Sequence, residues 1–365
     1  MNRTSALAAL AAGLISFGCA SVEPITGCDP VGDVTPLCGY QNPEDLALLP
    51  DGRSVLVSEY GGMDGEHQGL LSRLDLETGE RHPLYAGGGN GEARWGDPAC
   101  EGPLEALTPH GLDLSERSDG RLQLLVVQHH QRESVEFFEV GRDAAGEWQV
   151  AWRGCVEPPE GSWLNEVVGR PDGSFFASHM MPKGSAGRFF AMVSGALFGA
   201  DTGHVWEWTP SNGFRAVPGT DAGFPNGVEV SPDGRHLFVN ASLGGQVARV
   251  NLESGEVEGH AEVPTPDNLT WGPDGRLWVA SLRPESVTDT LACDEITDGA
   301  CPLAFAIVAI DPETLQTENL YVSDDTTPGG AGTVGLWVPG GDILVGTFAG
   351  DRILRVDRDA APSAP

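Results

Sequence analysis

The sequence predicts an all-β protein, a six-bladed β-propeller with four-stranded blades, and two observations carry this prediction. The first is a phrase that occurs six times along the chain: an anchor residue, a short apolar stretch, a turn of the Pro-Asp-Gly type, and a β-branched or aromatic strand. The second is the composition, with 50 Gly and 27 Pro among 365 residues and 40% hydrophobic residues. This mixture is typical of a turn-rich β protein with a sizeable core.

The turns divide the chain into six units. They begin at Pro50, Ser118, Pro171, Pro232, Pro273 and Pro339. Gly after Asp between two apolar segments is a strong β-hairpin signal, so a strand is expected after each turn. The clearest of these strands are residues 54–57, 124–127, 236–239 and 276–279. The spacing of 41 to 68 residues leaves room for four strands per unit, whereas solenoid repeats are shorter and more even.

The anchor residues share one position at the start of each unit. Counting six residues back from the first turn residue gives Glu44, Leu112, Asn165, Asn226, Asp267 and Thr333. In a propeller the innermost strands surround a central channel, so side chains at one height converge on its axis. Four of the six are acids or amides, and Asn268 adds a neighbouring amide.

This oxygen-rich set predicts a metal site on the axis. Acid and amide oxygens without Cys or His select a hard cation, and their number suits Ca²⁺ better than Mg²⁺. The alternative is that these Asp and Asn residues only cap turns.

Charge and motifs exclude several other functions. The formal net charge of −32 repels phosphate backbones, so no nucleic-acid partner is expected. The chain contains no G-x-S-x-G, H-E-x-x-H or G-K-[ST] motif, which argues against a serine hydrolase, a zincin and a P-loop protein.

The N-terminus reads as a bacterial export signal. Residues 1–19 combine a basic residue with an apolar run too short to span a bilayer, and they end in a box that resembles a lipoprotein cleavage site before Cys19. A plain secretory signal is the alternative. The predicted organisation is a signal peptide over 1–19, a linker over 20–39, the propeller over 40–357 and a tail over 358–365. We expect a monomer in the periplasm or on the outer membrane, touching the membrane only through lipid on Cys19.

Cysteine usage agrees with an oxidising compartment. Without Cys19 six cysteines remain, an even number that can pair completely. The expected local pairs are Cys28–Cys38 and Cys293–Cys301, with Cys100–Cys155 as a long link, although the sequence alone does not choose among the connectivities.

At the anchor residues the sequence resembles the calcium-dependent propeller hydrolases of the paraoxonase (arylesterase) and gluconolactonase (senescence marker protein, regucalcin-like) group, paraoxonase more closely. The resemblance implies that a catalytic calcium is held by Glu44, Asn165, Asn226, Asp267 and Asn268. It implies a second, structural calcium at Asp45, the backbone carbonyl of Leu112 and Glu166. The family has Asp where this chain has Glu166, which displaces that carboxylate by about one methylene and puts the second ion in question.

The same resemblance implies a catalytic histidine pair. It matches His110, in the stretch Pro-His-Gly-Leu, and His129, which follows a strand in the same unit. His110 lies two residues before Leu112 and is expected near the metal, where it would activate water while Ca²⁺ polarises the carbonyl. His129 would orient it. His179 is expected to line the cavity, and residues 189–199 resemble the family's insertion that walls the active site.

Two function classes follow from these residues. The first is a Ca²⁺-dependent hydrolase of carboxylic esters, a lactonase or arylesterase acting on a small-molecule ester or lactone. The second is a non-catalytic propeller plugged by calcium that binds a protein or glycan at the cell envelope. Strictosidine synthase-like propellers share the fold but lack this metal set. The histidine pair favours hydrolysis, since a structural plug needs no base.

Overall fold

The computed structural model of the protein describes residues 22–61, 68–88, 95–285, 287–293, 296 and 298–358. The predicted signal peptide, Cys19 and most of the C-terminal tail lie outside these residues. The strands are β1 (Val34–Cys38), β2 (Pro43–Leu48), β3 (Ser54–Glu59), β4 (Leu70–Asp75), β5 (Arg81–Tyr85), β6 (Pro109–Glu116), β7 (Leu122–Gln128), β8 (Ser134–Arg142), β9 (Trp148–Val156), β10 (Leu164–Gly169), β11 (Phe175–His179), β12 (His204–Thr209), β13 (Gly213–Ala216), β14 (Pro225–Val230), β15 (His236–Ala241), β16 (Gln246–Asn251), β17 (Val257–Glu262), β18 (Pro266–Trp271), β19 (Leu277–Leu282), β20 (Phe305–Ile310), β21 (Thr317–Val322), β22 (Gly332–Trp337), β23 (Ile343–Thr347) and β24 (Arg352–Val356). The helices are α1 (Ser185–Phe198) and α2 (Val287–Cys293).

The strands form six antiparallel sheets of four, so the predicted six-bladed propeller is confirmed. The sheets are β2 to β5, β6 to β9, β10 to β13, β14 to β17, β18 to β21, and β22 to β24 with β1. We number the blades one to six in this order. The first strand of each blade packs against the first strand of the next, for example β10 against β6 and β14, which makes these strands the inner ring.

The Asp-Gly turns connect the first two strands of the blades as expected. Gly52 and Gly234 have φ of +64° and +71°, a conformation that side chains other than Gly rarely adopt. The strands after these turns, β3 and β15, are buried along most of their length. The turn chemistry therefore fixes where each inner strand ends.

Blade six is closed by a strand from the other end of the chain. β1 pairs with β24 from Val34↔Val356 to Cys38↔Arg352, outside β23 and β22. Residues 34–38, which the sequence analysis assigned to a linker, are thus part of the propeller. Sequence analysis missed this strand because it carries no anchor and no Asp-Gly turn of its own.

The hydrophobic core lies between the blades. The interface of blades five and six, for example, buries Trp278, Phe305 and Ile307. Trp278 is fully buried there. Large aromatic and branched side chains at such interfaces hold the inner strands at fixed spacing around the axis.

Three disulfides stabilise the loops, and each matches an expected pair. They join Cys28 to Cys38, Cys100 to Cys155, and Cys293 to Cys301. Within the part of the chain that the structure describes, neither helix has the length and apolar character needed to cross a bilayer.

Candidate active site

The inner strands of all six blades carry an irregularity at the same place. In β10 the pairing with β11 shifts between Leu164 and Val167, and in β6 the pairing with β7 shifts between Pro109 and Leu112. The same shift follows Pro43, Pro225, Pro266 and Gly332. These bulges give an alignment of the six blades that does not depend on the turns.

The alignment corrects the predicted register in blade two. His110, directly after Pro109, occupies the anchor position, and Leu112 does not. β6 has eight residues where β10 has six, so counting back from the turn ends two residues too late. The anchor residues of the six blades are Glu44, His110, Asn165, Asn226, Asp267 and Thr333. A proline before the anchor, present in four blades, is the sequence signal that would have placed His110 correctly.

Acid and amide side chains meet at the anchor position. Nδ2 of Asn268 donates a 3.0 Å hydrogen bond to Oε1 of Glu44, and the Asn226 side chain hydrogen-bonds to Asp267. Asn165 holds the corresponding position on β10 and is buried. In blade six, Oγ1 of Thr333 donates a 2.6 Å hydrogen bond to the backbone carbonyl of Glu44.

Several oxygens of this cluster have no hydrogen-bond partner although they are buried. They are Oε2 of Glu44 and Oδ1 of Asn165, Asn226 and Asn268. A buried oxygen without a partner costs about 1–3 kcal/mol, and four on one cluster form a donor set that fits a hard cation. The amides are essential to this fit, because no three His, Cys, Asp or Glu side chains among the described residues form a metal-binding group by themselves.

The buried carboxyl groups of the cluster also favour a bound cation. Burial, and the nearby carboxylates of Asp45 and Asp267, raise the pKa of Glu44 well above its usual value. Burial raises the pKa of Asp267 to about 7. Two buried carboxylates in one cluster repel each other unless a positive charge or protons compensate them.

The residues expected around a second ion lie directly beside this cluster. Oδ2 of Asp45 accepts a 2.8 Å hydrogen bond from the N–H of Leu112, and Oδ1 accepts one from Leu46. This contact uses the N–H group of Leu112, while the ligand that the resemblance implies is its backbone carbonyl. Oε1 of Glu166 accepts a hydrogen bond from Val167, and the carboxyl group of Glu166 contacts that of Asp45.

Two further acids, which the sequence analysis did not single out, lie half-buried on the inner strands and interact with this group of carboxylates. Burial raises the pKa of Asp113 to about 6. Burial and the charge of Asp113 raise the pKa of Glu229 to about 8. Both acids sit on inner strands, β6 and β14, and Asp113 accepts a 3.0 Å hydrogen bond from Gly169 of blade three.

The predicted histidine pair is brought together at the edge of the oxygen cluster. Nδ1 of His110 and Nε2 of His129 lie 2.9 Å apart. Nε2 of His110 lies 3.7 Å from Oε1 of Glu44, too far for a hydrogen bond. The buried ring of Tyr60 packs 4.6 Å from that of His110. Burial, followed by the charge of His129, lowers the pKa of His110 well below its usual value, so the imidazole is neutral at neutral pH.

A glutamate that sequence reasoning missed continues this chain of contacts. Oε1 of Glu133 lies 2.9 Å from Nδ1 of His129 and accepts a 2.7 Å hydrogen bond from the N–H of Leu164. Its Oε2 accepts a 2.9 Å hydrogen bond from Nζ of Lys183, the chain's single lysine. Residues 129–133 form the loop between β7 and β8. No sequence motif predicts that Glu133 contacts His129 within this loop.

His179 lies one layer behind the pair. Its Nδ1 accepts a 3.1 Å hydrogen bond from the N–H of Trp163, whose ring is 6.3 Å from that of His129. The His179 ring packs 5.3 Å from that of His204.

The segment expected to wall the site forms helix α1. Ala191 packs on Met180, Met181 and Trp163, which places the helix next to the aromatic layer behind the histidine pair. Near its C-terminal end, Leu197 is 70% exposed and Phe198 is 81% exposed. The helix is therefore apolar on both its packed and its open surface.

Glycines directly after two anchors allow the inner strands to approach closely. A Cβ on Gly111 would lie 2.5 Å from Oε1 of Glu166 and 2.6 Å from the carbonyl of Asn165. A Cβ on Gly227 would lie 2.4 Å from the carbonyl of Asp267. These positions bring the anchors of neighbouring blades to the axis and leave no room for a side chain.

Comparisons with known proteins agree with this architecture. The family model described as SMP-30/Gluconolactonase/LRE-like region matches residues 114–299, about half of the chain. The match includes His129 and four of the cluster residues but not Glu44 or His110. No curated protein sequence matches the chain significantly.

Solved structures share the fold at low sequence identity. The gluconolactonase XC5397 of Xanthomonas campestris is 16% identical, with 92% of this chain and 96% of that chain covered and a TM-score of 0.52. A Thermus thermophilus protein provisionally described as an oxidoreductase (glucose dehydrogenase) is 16% identical, with 90% and 100% covered and a TM-score of 0.51. A luciferin-regenerating enzyme is 12% identical, with 89% and 95% covered and a TM-score of 0.50. These neighbours have different activities, so the likeness establishes the propeller alone.

Proposed function

The chain belongs to the SMP-30/gluconolactonase/LRE-like family, and from that premise we propose that it is a calcium-dependent hydrolase of carboxylic esters that acts on lactones and aryl esters. One observation carries the proposal. A buried pair of imidazoles stands at the edge of a cluster whose four unpartnered oxygens fit a hard cation. A structural plug would need the oxygens but not the base.

The residues of the cluster would hold Ca²⁺ through acid and amide oxygens. They are Glu44, Asn165, Asn226, Asp267 and Asn268. The bound ion would supply a Lewis acid for the carbonyl oxygen of the ester, where negative charge develops. A second, structural ion at Asp45 and Glu166 is part of the proposal only if metal analysis finds more than one equivalent.

The histidine pair accepts the proton that the attacking water loses. Nε2 of His110 faces Glu44 and has no hydrogen-bond partner at that distance, so it is free to take a proton from an attacking water. The low pKa of His110 keeps this nitrogen unprotonated before the reaction. Nδ1 of His110 is 2.9 Å from Nε2 of His129, so the positive charge that forms on His110 is shared with a second ring. The leaving alkoxide or phenolate takes up the proton when the ester bond has broken.

Hydrolysis of lactones with and without a calcium chelator tests this proposal. Activity should disappear with chelator and return with Ca²⁺. His110→Gln should lower kcat by about 10²–10⁴ with unchanged calcium content, because it removes only the general base. Asp267→Ala should lose calcium and activity together. Phenyl acetate is the weaker assay, since a good leaving group makes less demand on the base.

The opposite outcome identifies the alternative function. If calcium raises the melting temperature but neither lactones nor aryl esters are hydrolysed, the hydrolase proposal is wrong. The protein would then be a calcium-plugged propeller that binds a protein or glycan.

We further propose that the protein is exported and anchored through lipid on Cys19. Three disulfides support export, because such bonds persist outside the reducing cytoplasm. Cys19→Ser should move the protein from the membrane fraction to the soluble periplasm. Wild-type protein that is already fully soluble there would contradict the anchor and leave export intact.

A further inference from the structure

The carboxylate of Glu133 is fully engaged, although it lies in a loop. Its side chain is only 8% exposed, and that of His129 is 6% exposed. One oxygen, Oε1, faces Nδ1 of His129 at 2.9 Å and the N–H of Leu164 at 2.7 Å. The other, Oε2, is 2.9 Å from Nζ of Lys183. Both oxygens thus have partners of fixed position.

The two short contacts of His129 fix where its proton sits. Nδ1 of His129 lies 2.9 Å from Oε1 of Glu133, an ion-pair contact without hydrogen-bond geometry. A lone pair on Nδ1 would face the negative charge of the carboxylate, so electrostatics favours the hydrogen on this nitrogen. In the neutral ring Nε2 is then an acceptor, and it must receive the hydrogen on Nδ1 of His110. His110 is left with an unprotonated Nε2, the atom that faces Glu44.

We propose, on the basis of the proposed function, that Glu133 is a positioning residue that sets the tautomers of both histidines and leaves the free base of His110 aimed at the oxygen cluster. When Nε2 of His110 accepts a proton from water, the hydrogen on its Nδ1 can pass to Nε2 of His129. The imidazolium formed on His129 then faces a carboxylate. No atom of Glu133 touches the substrate in this scheme.

Lys183 keeps this carboxylate charged. Burial alone would raise the pKa of Glu133, but its contacts with His129 and with the ammonium group of Lys183 outweigh burial and lower it. Lys183 lies two residues before helix α1, so the segment that leads into this helix supplies the charge behind the pair. The competing interpretation is that Glu133 merely ties Leu164 and Lys183 together as a structural link.

The kinetic test is a double-mutant cycle in calcium-containing buffer. Glu133→Gln should lower kcat for lactones about 10- to 100-fold, the usual loss when the partner of a functional imidazole is removed, with KM and calcium content unchanged. In the His129→Gln background the same substitution should cost almost nothing, because its effect acts through His129. A purely structural role would give the same loss in both backgrounds, which would overturn the proposal.

A matched control distinguishes an effect on the histidine pair from a general loss of fold stability. Glu207→Gln removes another buried glutamate, one that pairs with Arg170 and Arg215 in blade three, away from the histidines. It should lower the melting temperature and leave kcat unchanged. Glu133→Asp, which keeps the charge but shortens the arm, should retain more activity than Glu133→Gln.

A second measurement decides the proposal even if the protein hydrolyses no ester. ¹⁵N NMR of histidine-labelled protein reports which ring nitrogen is protonated. In the wild type, His129 should be protonated on Nδ1 and His110 unprotonated on Nε2, and Glu133→Gln should mix the tautomers of His129. Finding His129 protonated on Nε2 in the wild type would refute the positioning role, whatever the activity.

Discussion

Removal of calcium is expected to lower the melting temperature by at least about 6 °C. The cluster at the anchor position has four buried oxygens without partners, and each costs about 1–3 kcal/mol until it is satisfied. The gain on binding is therefore at least about 4 kcal/mol, which corresponds to calcium at roughly 1,000 times its Kd. With an unfolding entropy of about 2.1 cal/mol/K per residue, a chain of this size loses about 0.7 kcal/mol of stability per degree near Tm. Dividing the stability gained on calcium binding by the stability lost per degree gives this change in Tm.

The assay is thermal unfolding with chelator and with added Ca²⁺. Asn226→Ala should abolish the difference between the two conditions, because it removes one of the unpartnered oxygens and the hydrogen bond to Asp267. Asn251→Ala is the matched control. Its side chain accepts two N–H groups in an exposed turn and donates to Glu258, so its loss should lower both melting temperatures and preserve their difference. Equal melting temperatures with and without calcium in the wild type would refute the metal assignment.

Three further predictions concern packing, crosslinks and pH. Gly111→Ala should destabilise by about 1–3 kcal/mol by crowding the neighbouring inner strand, whereas Gly141→Ala, with open space around it, should be neutral in the same denaturation assay. Replacing Cys100 and Cys155 by Ser should cost about 4 kcal/mol, because their disulfide closes a loop of 55 residues, and a smaller loss than from the 8-residue disulfide would contradict the entropic reasoning. The raised pKa of Glu229, about 8, means that the folded state holds this proton more tightly than the unfolded state, so its contribution to stability is lost as pH rises from about 5 to about 8. Glu229→Gln should therefore raise Tm most at about pH 9, and a pH-independent effect would count against it.

The repeat itself was predictable because turn chemistry and the inner-strand pattern are local. Asp-Gly turns and the residues before them placed four of the cluster residues correctly without any long-range information. The same local counting failed for His110, since it measured the anchor from the turn and β6 is longer than the other inner strands. Counting forward from the preceding proline would have measured from the bulge, the feature whose geometry the blades share.

Glu133 shows a different limit of sequence reasoning. Its role depends on how a five-residue loop folds over the end of β7, and on Lys183, 50 residues further along the chain. Neither the spacing of His129 and Glu133 nor the residue types distinguish this arrangement from an exposed polar loop. Strand β1 was missed for a related reason, because its partner β24 lies at the opposite end of the chain.

The pairing of β1 with β24 has a consequence for biogenesis. The ring can close only after β24 has been synthesised, because β1 pairs with this strand. β1 therefore has no partner strand while the other strands are being made. Contacts of such long sequence separation form late and slowly. A nascent propeller of this kind stays open during translation, with the outer edge of blade six unpaired. If the protein is exported as proposed, this open chain is also the form that could be threaded through a translocation pore.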